Sequence, residues 1–516
     1  MSAKHSDPIR GLTSSKSSPL FQGRFGRMFR SLHAARFGAN PDESRKNLAK
    51  LAGAMAAGFE PPKDGKDDEE SGIPSLYTYL GQFIDHDITF DPNSSLQKQN
   101  DPDALVDFRN PALDLDNVYG RGPDDQPYMY AAGGTTFLLG DPIMGGDPGA
   151  RDLPRNTPPA PKKPLDPKPP AEPQRALIGD PRNDENTIVS QFQGLFLRFH
   201  NRTVADNPKL EFREIQQLVR FHYQFVVLND FLPRIIHPDV LKHLRVDGHY
   251  SRDKLQFFHW RHDPFMPVEF SVAAYRLGHS MVRPGYRLND SDATLLPIFP
   301  VPSQGLAEGL TGFRAMNPAW GIDWGRFIDI DVRTYDGSAA ENQKRLQFAY
   351  RIDTSVVNPL SALPASVASN PASLPERNLL RGLMLGLPSG QDVAHAMCHT
   401  PLPDKQILIG QGVDQPESPL PNIASIDKVF AGNCPLWTYI LAEAMHHRVA
   451  VKVPVKEAVT INTPVLGPVG GRIVAEVFLG LLFGDKNSLL NLAPHWTPKA
   501  GPGYALEDFV GYALGR

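Results

Sequence analysis

Three short stretches of this sequence hold polar side chains at spacings that allow joint chemistry. The first is Leu80-Gly81-Gln82-Phe83-Ile84-Asp85-His86-Asp87-Ile88-Thr89-Phe90, where Leu76, Leu80, Phe83 and Ile84 recur with helical period. At 100° per residue, Asp85 falls roughly 60° to one side of Gln82 and His86 roughly 40° to the other. Those three share a face, while Asp87, roughly 140° round, points elsewhere. An amide, a carboxylate and an imidazole beside apolar residues make either a satisfied buried network or a site for proton transfer. The second stretch, Asp180-Pro181-Arg182-Asn183-Asp184-Glu185-Asn186, opens a helix, where acidic residues ordinarily serve as caps and dipole partners. The third, Tyr275-Arg276-Leu277-Gly278-His279-Ser280-Met281-Val282, again reads as helical and sets Arg276 beside His279 at i, i+3. Gly278 there lets something flat come close to the backbone.

Helices must position these groups. Ile188, Phe192, Leu195, Phe196 and Phe199 lie on one helical face; Ile215, Leu218, Val219, Phe225 and Val226 mark another. Ser373 with Glu376 is a capping-box pattern opening a helix through Asn378 and Arg381. Strand-like alternation is sparse, for example Val449 to Val455. The expected class is mainly α, multi-helical, with little β structure. Residues 1–45 read as an N-terminal arm, Ser- and Arg-rich, with Phe21, Phe25, Met28 and Phe29 able to dock on a body formed by residues 46–516. Lys63 to Glu70 reads as a charged loop, and 147–175 as a proline-rich, solvated excursion biased to polyproline II.

Composition narrows the classes. With 516 residues, 53 basic against 57 acidic and a net charge of -4, the chain lacks the basic field of a general nucleic-acid binder. At 41% hydrophobic and 21% charged it can bury a large core. Its two cysteines, Cys398 and Cys434, give no disulfide framework and no four-thiolate metal site, and no C-x-x-C-H is present for thioether haem attachment. Met1 to Ser18 is too polar for a secretory signal. The apolar run Ile473 to Phe483, broken by Glu476, is too short to span a bilayer. The default expectation is a soluble cytoplasmic protein, with export by a signal-less route as the alternative.

Taken together, the three stretches resemble the animal-type haem peroxidases, the superfamily that also holds the cyclooxygenases and fatty-acid dioxygenases, and among them the short, single-domain, bacterial members. Gly81 to Asp87 looks like the distal motif, in which Gln82 and His86 would face the open side of haem. Arg182 and Glu185 match its Arg-x-x-Glu. Tyr275 to His279 looks like the proximal motif, with His279 as the axial iron ligand, and Asn378 and Arg381 match the Asn that bonds that histidine and a nearby Arg. Gly467-Pro468-Val469-Gly470-Gly471-Arg472 also looks familial, so the resemblance covers most of the chain.

The resemblance implies haem b as cofactor, hydrogen peroxide and a small electron donor (halide, thiocyanate or phenol) as partners, a ferryl intermediate, and a part in the response to oxidative stress. His86 would move the peroxide proton, Arg182 would stabilise developing negative charge, and Gln82 would orient what enters. Arg276 and Arg381 would line the cofactor. Asp85 and Glu185 match carboxylates that many relatives ester-link to haem methyl groups; where one relative has a Met bonded to a haem vinyl group, this chain has Asn186. The family's calcium loop would be completed here by Asp87, Asn110, the Ala112 carbonyl, Asp114 and Asp116, all hard oxygen donors. Asn110 replaces the usual Thr. The oligomeric state is not legible.

Two rivals come from other classes. A fatty-acid dioxygenase would need a radical-forming Tyr three residues before the proximal histidine, where this chain has Arg276, with Tyr275 one step further. A non-catalytic binding module would not need Gln82, His86, Arg182, His279 and Asn378 together. His395, Cys398 and His399 suggest zinc only weakly, lacking a fourth ligand; His446-His447 and His200-Asn201 read as structural.

Overall fold

The structure, a computed structural model, describes residues 25–89, 111–156 and 174–516 apart from 366, 369, 415 and 417. Phe21, Phe90, Asn110 and most of the proline-rich segment lie outside the described residues.

The fold is mainly helical, as the periodicity requires. Helix α1 (Pro41–Met55) starts at an Asn40 cap whose side chain accepts from the Glu43 N–H at 2.9 Å, with Pro41 in the first turn. Helix α2 (Leu76–Ile88) carries the first motif and is buried along Leu76, Leu80, Phe83 and Ile84. Helix α3 (Thr187–Asp206) is capped by Asn186, which accepts from the N–H groups of Ile188 and Val189. Helix α4 (Phe212–Val226) runs on through a π-helical turn, Val227–Phe231. Ser373 caps α5 (Leu374–Met384) by accepting from the Glu376 N–H. Helices α6 (Leu436–His446), α7 (Pro468–Gly484) and α8 (Leu506–Leu514) complete the frame.

These helices form two groups. On one side α2 packs on α3, α3 on α4, and α8 against α3. Phe83 of α2 stacks on Phe196 of α3 at 4.3 Å, and Phe199 on Phe509 of α8 at 4.1 Å. On the other side α1 packs on α5, α5 on α6 and α6 on α7, with the turn Ala274–Leu277 wedged against α6 and α7. One hydrophobic core runs from Phe25 to Ala513. The sheets are two-stranded; the largest pairs Arg448–Lys452 antiparallel with Thr460–Pro464, where alternation was expected. The apolar run Ile473 to Phe483 lies inside α7, its Glu476 accepting from the N–H groups of Gln256, Phe257 and Phe258. No helix among the described residues is long and apolar enough to cross a membrane.

Three boundaries differ from expectation. The arm is part of the body from Phe25 onward: Phe25 and Phe29 are buried, Phe25–Gly26 pairs with Met266–Pro267, and α1 already begins at Pro41. The charged stretch ends in structure: Glu70 is buried between Arg283 and Arg345, and Glu70–Pro74 pairs with Phe348–Tyr350. A charge pattern alone does not distinguish solvated from paired ions. The flanks of the proline-rich segment are packed as well. Asp147 accepts from the Trp324 N–H and Asp152 from that of Met316, while Arg155 bridges Asp152 and Asp184.

Candidate functional site

Helix α2 delivers the face the periodicity predicts. Gln82 and Asp85 are half-buried, and His86 is 5% exposed. The turn Pro181–Asp184 lies across that face. It is a 3-10 turn of its own, capped by Asp180, rather than the first turn of α3. From it Asn183 places its Oδ1 2.7 Å from His86 Nδ1, while its Nδ2 donates to Gln193 Oε1 at 2.8 Å. Glu185 Oε1 lies 3.5 Å from His86 Nε2 and accepts from the Gln82 amide. Asn186 donates to Gln82 Oε1 at 3.2 Å.

Arg182 lies within charge range of Asp85 and Glu185 and is engaged beside them. Its guanidinium pairs with the fully buried Asp180 at 2.8 Å and donates to the carbonyls of His86 and Thr89, at the end of α2. Its pKa is raised: burial opposes the charge, but the hydrogen bond and charge of Asp180 outweigh burial. Arg182 thus clamps the helix end that carries His86, with its charge already matched.

The proximal motif is not a continuous helix but the turn Ala274–Leu277 followed by Gly278–Met281. Asn378, from α5, sets its side-chain amide 2.7 Å from His279 Nδ1. Protein surrounds the His279 ring, and burial, then the charge of Arg276, pushes its pKa down to about 3. Part of the ring's surface nevertheless stays open, and among the described residues Nε2 takes no hydrogen bond. Trp437 closes one side, its ring 6.5 Å from that of His279 and its Nε1–H donating to the Arg276 carbonyl. Arg276 itself donates from Nε to the Ser271 carbonyl, and Arg381 is half-buried one turn after Asn378.

The two faces look at each other. Tyr275, four residues before His279, would lie 3.9 Å from a Cβ on Gly81 and feels the charge of Asp85.

The calcium residues also gather, incompletely. Asp87, Asp114 and Asp116 are buried; Asp87 Oδ2 accepts from the Leu115 N–H, and Asp114 Oδ1 from that of Asp116. Ala112 is buried in the same segment. Burial, then the charge of Asp116, holds the Asp114 carboxyl well above its usual range. Among the described residues no three His, Cys, Asp or Glu side chains stand ready to hold a metal. His395, Cys398 and His399 are accordingly exposed surface.

Asn183, Gln193, Asp180 and Trp437 were missed from sequence. Asn183 and Asp180 lay inside a stretch that reads as ordinary capping; no local pattern marks Gln193 or Trp437.

A family model described as animal haem peroxidase matches residues 101–302, a span that includes Arg182, Glu185 and His279. The thyroid peroxidase of Sus scrofa is 30% identical over 191 residues, 35% of this chain and 20% of that protein. The thyroid peroxidase of Homo sapiens is 24% identical over 389 residues, 62% of this chain and 39% of that protein. Over these segments the chain is similar to the animal haem peroxidases. Peroxidase A of Dictyostelium discoideum shares the fold, with a TM-score of 0.58 at 15% identity, covering 96% of this chain and 94% of that one. The fatty acid alpha-dioxygenase of Oryza sativa shares it more loosely, at 0.51 and 13%, over 96% of this chain and 79% of that one. The segments matched span about a fifth to two fifths of these thyroid peroxidases.

The residues present fit the haem that names the matched family. A largely enclosed imidazole is held at Nδ1, and among the described residues its Nε2 takes no hydrogen bond. Beside it a Cβ on Gly278 would meet nothing within 4 Å. At the rim, the buried Tyr275 hydroxyl has no hydrogen-bond partner among the described residues. A flat apolar group with polar edges suits such a space.

Proposed function

We propose that this chain is a haem-dependent peroxidase that reduces hydrogen peroxide and oxidises small donors. The observation that carries this is a pair of imidazoles, each held at Nδ1 by an asparagine, on segments that meet where Tyr275 approaches Gly81. His86 Nε2 lies toward Glu185, and His279 Nε2 takes no hydrogen bond among the described residues.

Haem, when bound, supplies the iron that takes up the oxidising equivalents of peroxide. His279 would hold it through Nε2. Asn378 meets Nδ1 through its amide nitrogen, Nδ2; with the amide turned so that its oxygen accepts the Nδ1 proton, the Nε2 lone pair would be available and strengthened as a donor. His86 Nε2 takes the proton from one peroxide oxygen and returns it to the other as water leaves, the work of a positioned general acid–base group. Gln82 orients the entering molecule. Arg182 holds the end of α2 and with it the position of His86. Asp85 and Glu185, half-buried on the same face, are the carboxylates that would ester-link the cofactor. Asn186, engaged in capping α3, cannot supply a sulfonium link. A sulfonium withdraws electron density, so its absence favours iodide, bromide or thiocyanate over chloride as donor.

Calcium belongs to the same reading. Three buried carboxylates close in sequence and space are costly without a cation, and the Asp116 Oδ2 is buried with no hydrogen-bond partner among the described residues. A Ca²⁺ between Asp87 and the 112–116 segment would brace α2 one residue from His86.

A visible spectrum before and after peroxide tests the core reading. A Soret band that peroxide shifts is expected; its absence, or oxygen uptake with an unsaturated fatty acid instead, overturns the reading. Denaturing extraction after peroxide turnover tests the esters: haem should stay on the polypeptide, and Glu185→Gln should release part of it. Quantitative recovery of unmodified haem rules the esters out.

A further inference from the structure

We propose that Asn183, backed by Gln193, is a positioning residue that fixes the ring tautomer of His86, and that the turn Pro181–Asp184 is built to hold this one amide. Asn183 and Gln193 are both fully buried. Since Asn183 Nδ2 donates to Gln193 Oε1 at 2.8 Å, its Oδ1 is the atom turned to His86 Nδ1, 2.7 Å away. An amide oxygen only accepts, so Nδ1 must carry the ring proton, and Nε2 presents a lone pair toward Glu185 and Gln82. Nothing else among the described residues reaches Nδ1.

The support behind the amide is heavy for so short a turn. Asp180 accepts from the Arg182 backbone N–H and pairs with its guanidinium. On the other side Asp184 pairs with Arg155 at 2.7 Å and accepts from the Ser190 hydroxyl at 2.6 Å, while Arg155 is tied to Asp152. These pairs, with their hydrogen bonds, tie both ends of the turn to fixed partners. What lies between them is Asn183. The inference rests on the peroxidase reading only for its catalytic consequence.

The test uses the full-length holoprotein as its diamagnetic carbonmonoxy form, with histidines labelled by ¹⁵N. The ring shifts of His86 should show the proton on Nδ1. Asn183→Leu should give a mixture of tautomers, and Asn183→Asp, which keeps the acceptor, should restore the wild-type pattern. In stopped flow, the peroxide-dependent Soret change should slow on the order of 10–100-fold in Asn183→Leu, the range typical when an orienting partner is lost, with the resting spectrum unchanged. If Asn183→Leu does not fold, Gln193→Leu, which leaves the amide free to turn, should give the same tautomer mixture. A wild-type proton on Nε2, or a normal rate and tautomer in the variants, overturns the proposal. A wild-type Soret band indifferent to peroxide overturns the peroxidase reading instead, because the ring shifts are read without peroxide.

Discussion

Two buried histidines in this molecule have opposite fates. His200, on α3, is fully enclosed and satisfied at both ring nitrogens: the Tyr119 hydroxyl lies 3.0 Å from Nδ1 and the Thr135 carbonyl 2.8 Å from Nε2. Tyr119, Phe137 and Phe212 pack around it. Among the described residues His279 is satisfied at one nitrogen only. Burial lowers the proton affinity of both, to about 4 for His200 and about 3 for His279. Depressed basicity therefore does not separate a structural imidazole from a ligand. The accounting of donors and acceptors does: a neutral imidazole has one of each, and of these two rings His279 leaves one without a hydrogen bond among the described residues.

The sharpest way to break this contrast is to remove each ring. His279→Ala should abolish the native Soret band or leave haem loosely and wrongly ligated, because it removes the imidazole that would hold the iron. His200→Gln, which keeps a donor and an acceptor, should retain the Soret band. Equal haem loss in both variants would defeat the distinction.

His86 sharpens it from the other side, as a buried histidine assigned to proton transfer rather than ligation. His86→Ala should retain haem but slow the reaction with peroxide by about 10²–10⁴-fold, the usual worth of a positioned general acid–base group. Stopped-flow spectra decide. Haem loss on this substitution, or an undiminished rate, contradicts the assignment.

A smaller effect is expected at the carboxylates behind α2. If Ca²⁺ binds at Asp87, Asp114 and Asp116, a hundred- to thousandfold excess over Kd stabilises the protein by roughly 3–4 kcal/mol. Wild-type protein should then lose thermal stability on chelation and regain it with calcium, while Asp114→Ala should respond to neither. Metal analysis that finds no calcium in active protein would end this proposal.

The sequence made the site's outline legible because the outline is periodic. Gln82, Asp85 and His86 share a face for reasons of helix geometry alone, and Asn378 and Arg381 follow from a capped helix of known start. What it hid was supplied from far along the chain. The partner of Asp184 is Arg155, on the edge of a stretch read as solvated for its prolines, and the partners of Glu70 are Arg283 and Arg345. Buried ion pairs look in sequence like surface charge, and a 3-10 turn ahead of a helix looks like that helix's first turn. Arg182 shows the same limit: its type and place were readable, but its engagement with Asp180 and the α2 carbonyls depends on how the turn folds back.

The smallest effect concerns His200 and acid. Its folded-state pKa of about 4 lies below the ~6.5 of an exposed imidazole, so between those values the unfolded chain binds a proton that the folded one does not. Stability contributed by the neutral ring is complete above pH ~6.5 and is lost as pH falls toward ~4, by roughly 1.4 kcal/mol per pH unit at most and on the order of 3 kcal/mol in all. Carboxylates also titrate in this window, so the informative quantity is the difference between wild type and His200→Gln. Denaturant unfolding from pH 7 to pH 4.5 should show the variant less stable at pH 7, yet falling less steeply, by close to one linked proton. Parallel curves would mean that the ring accepts a proton in place, and that its two hydrogen bonds do not enforce the neutral form.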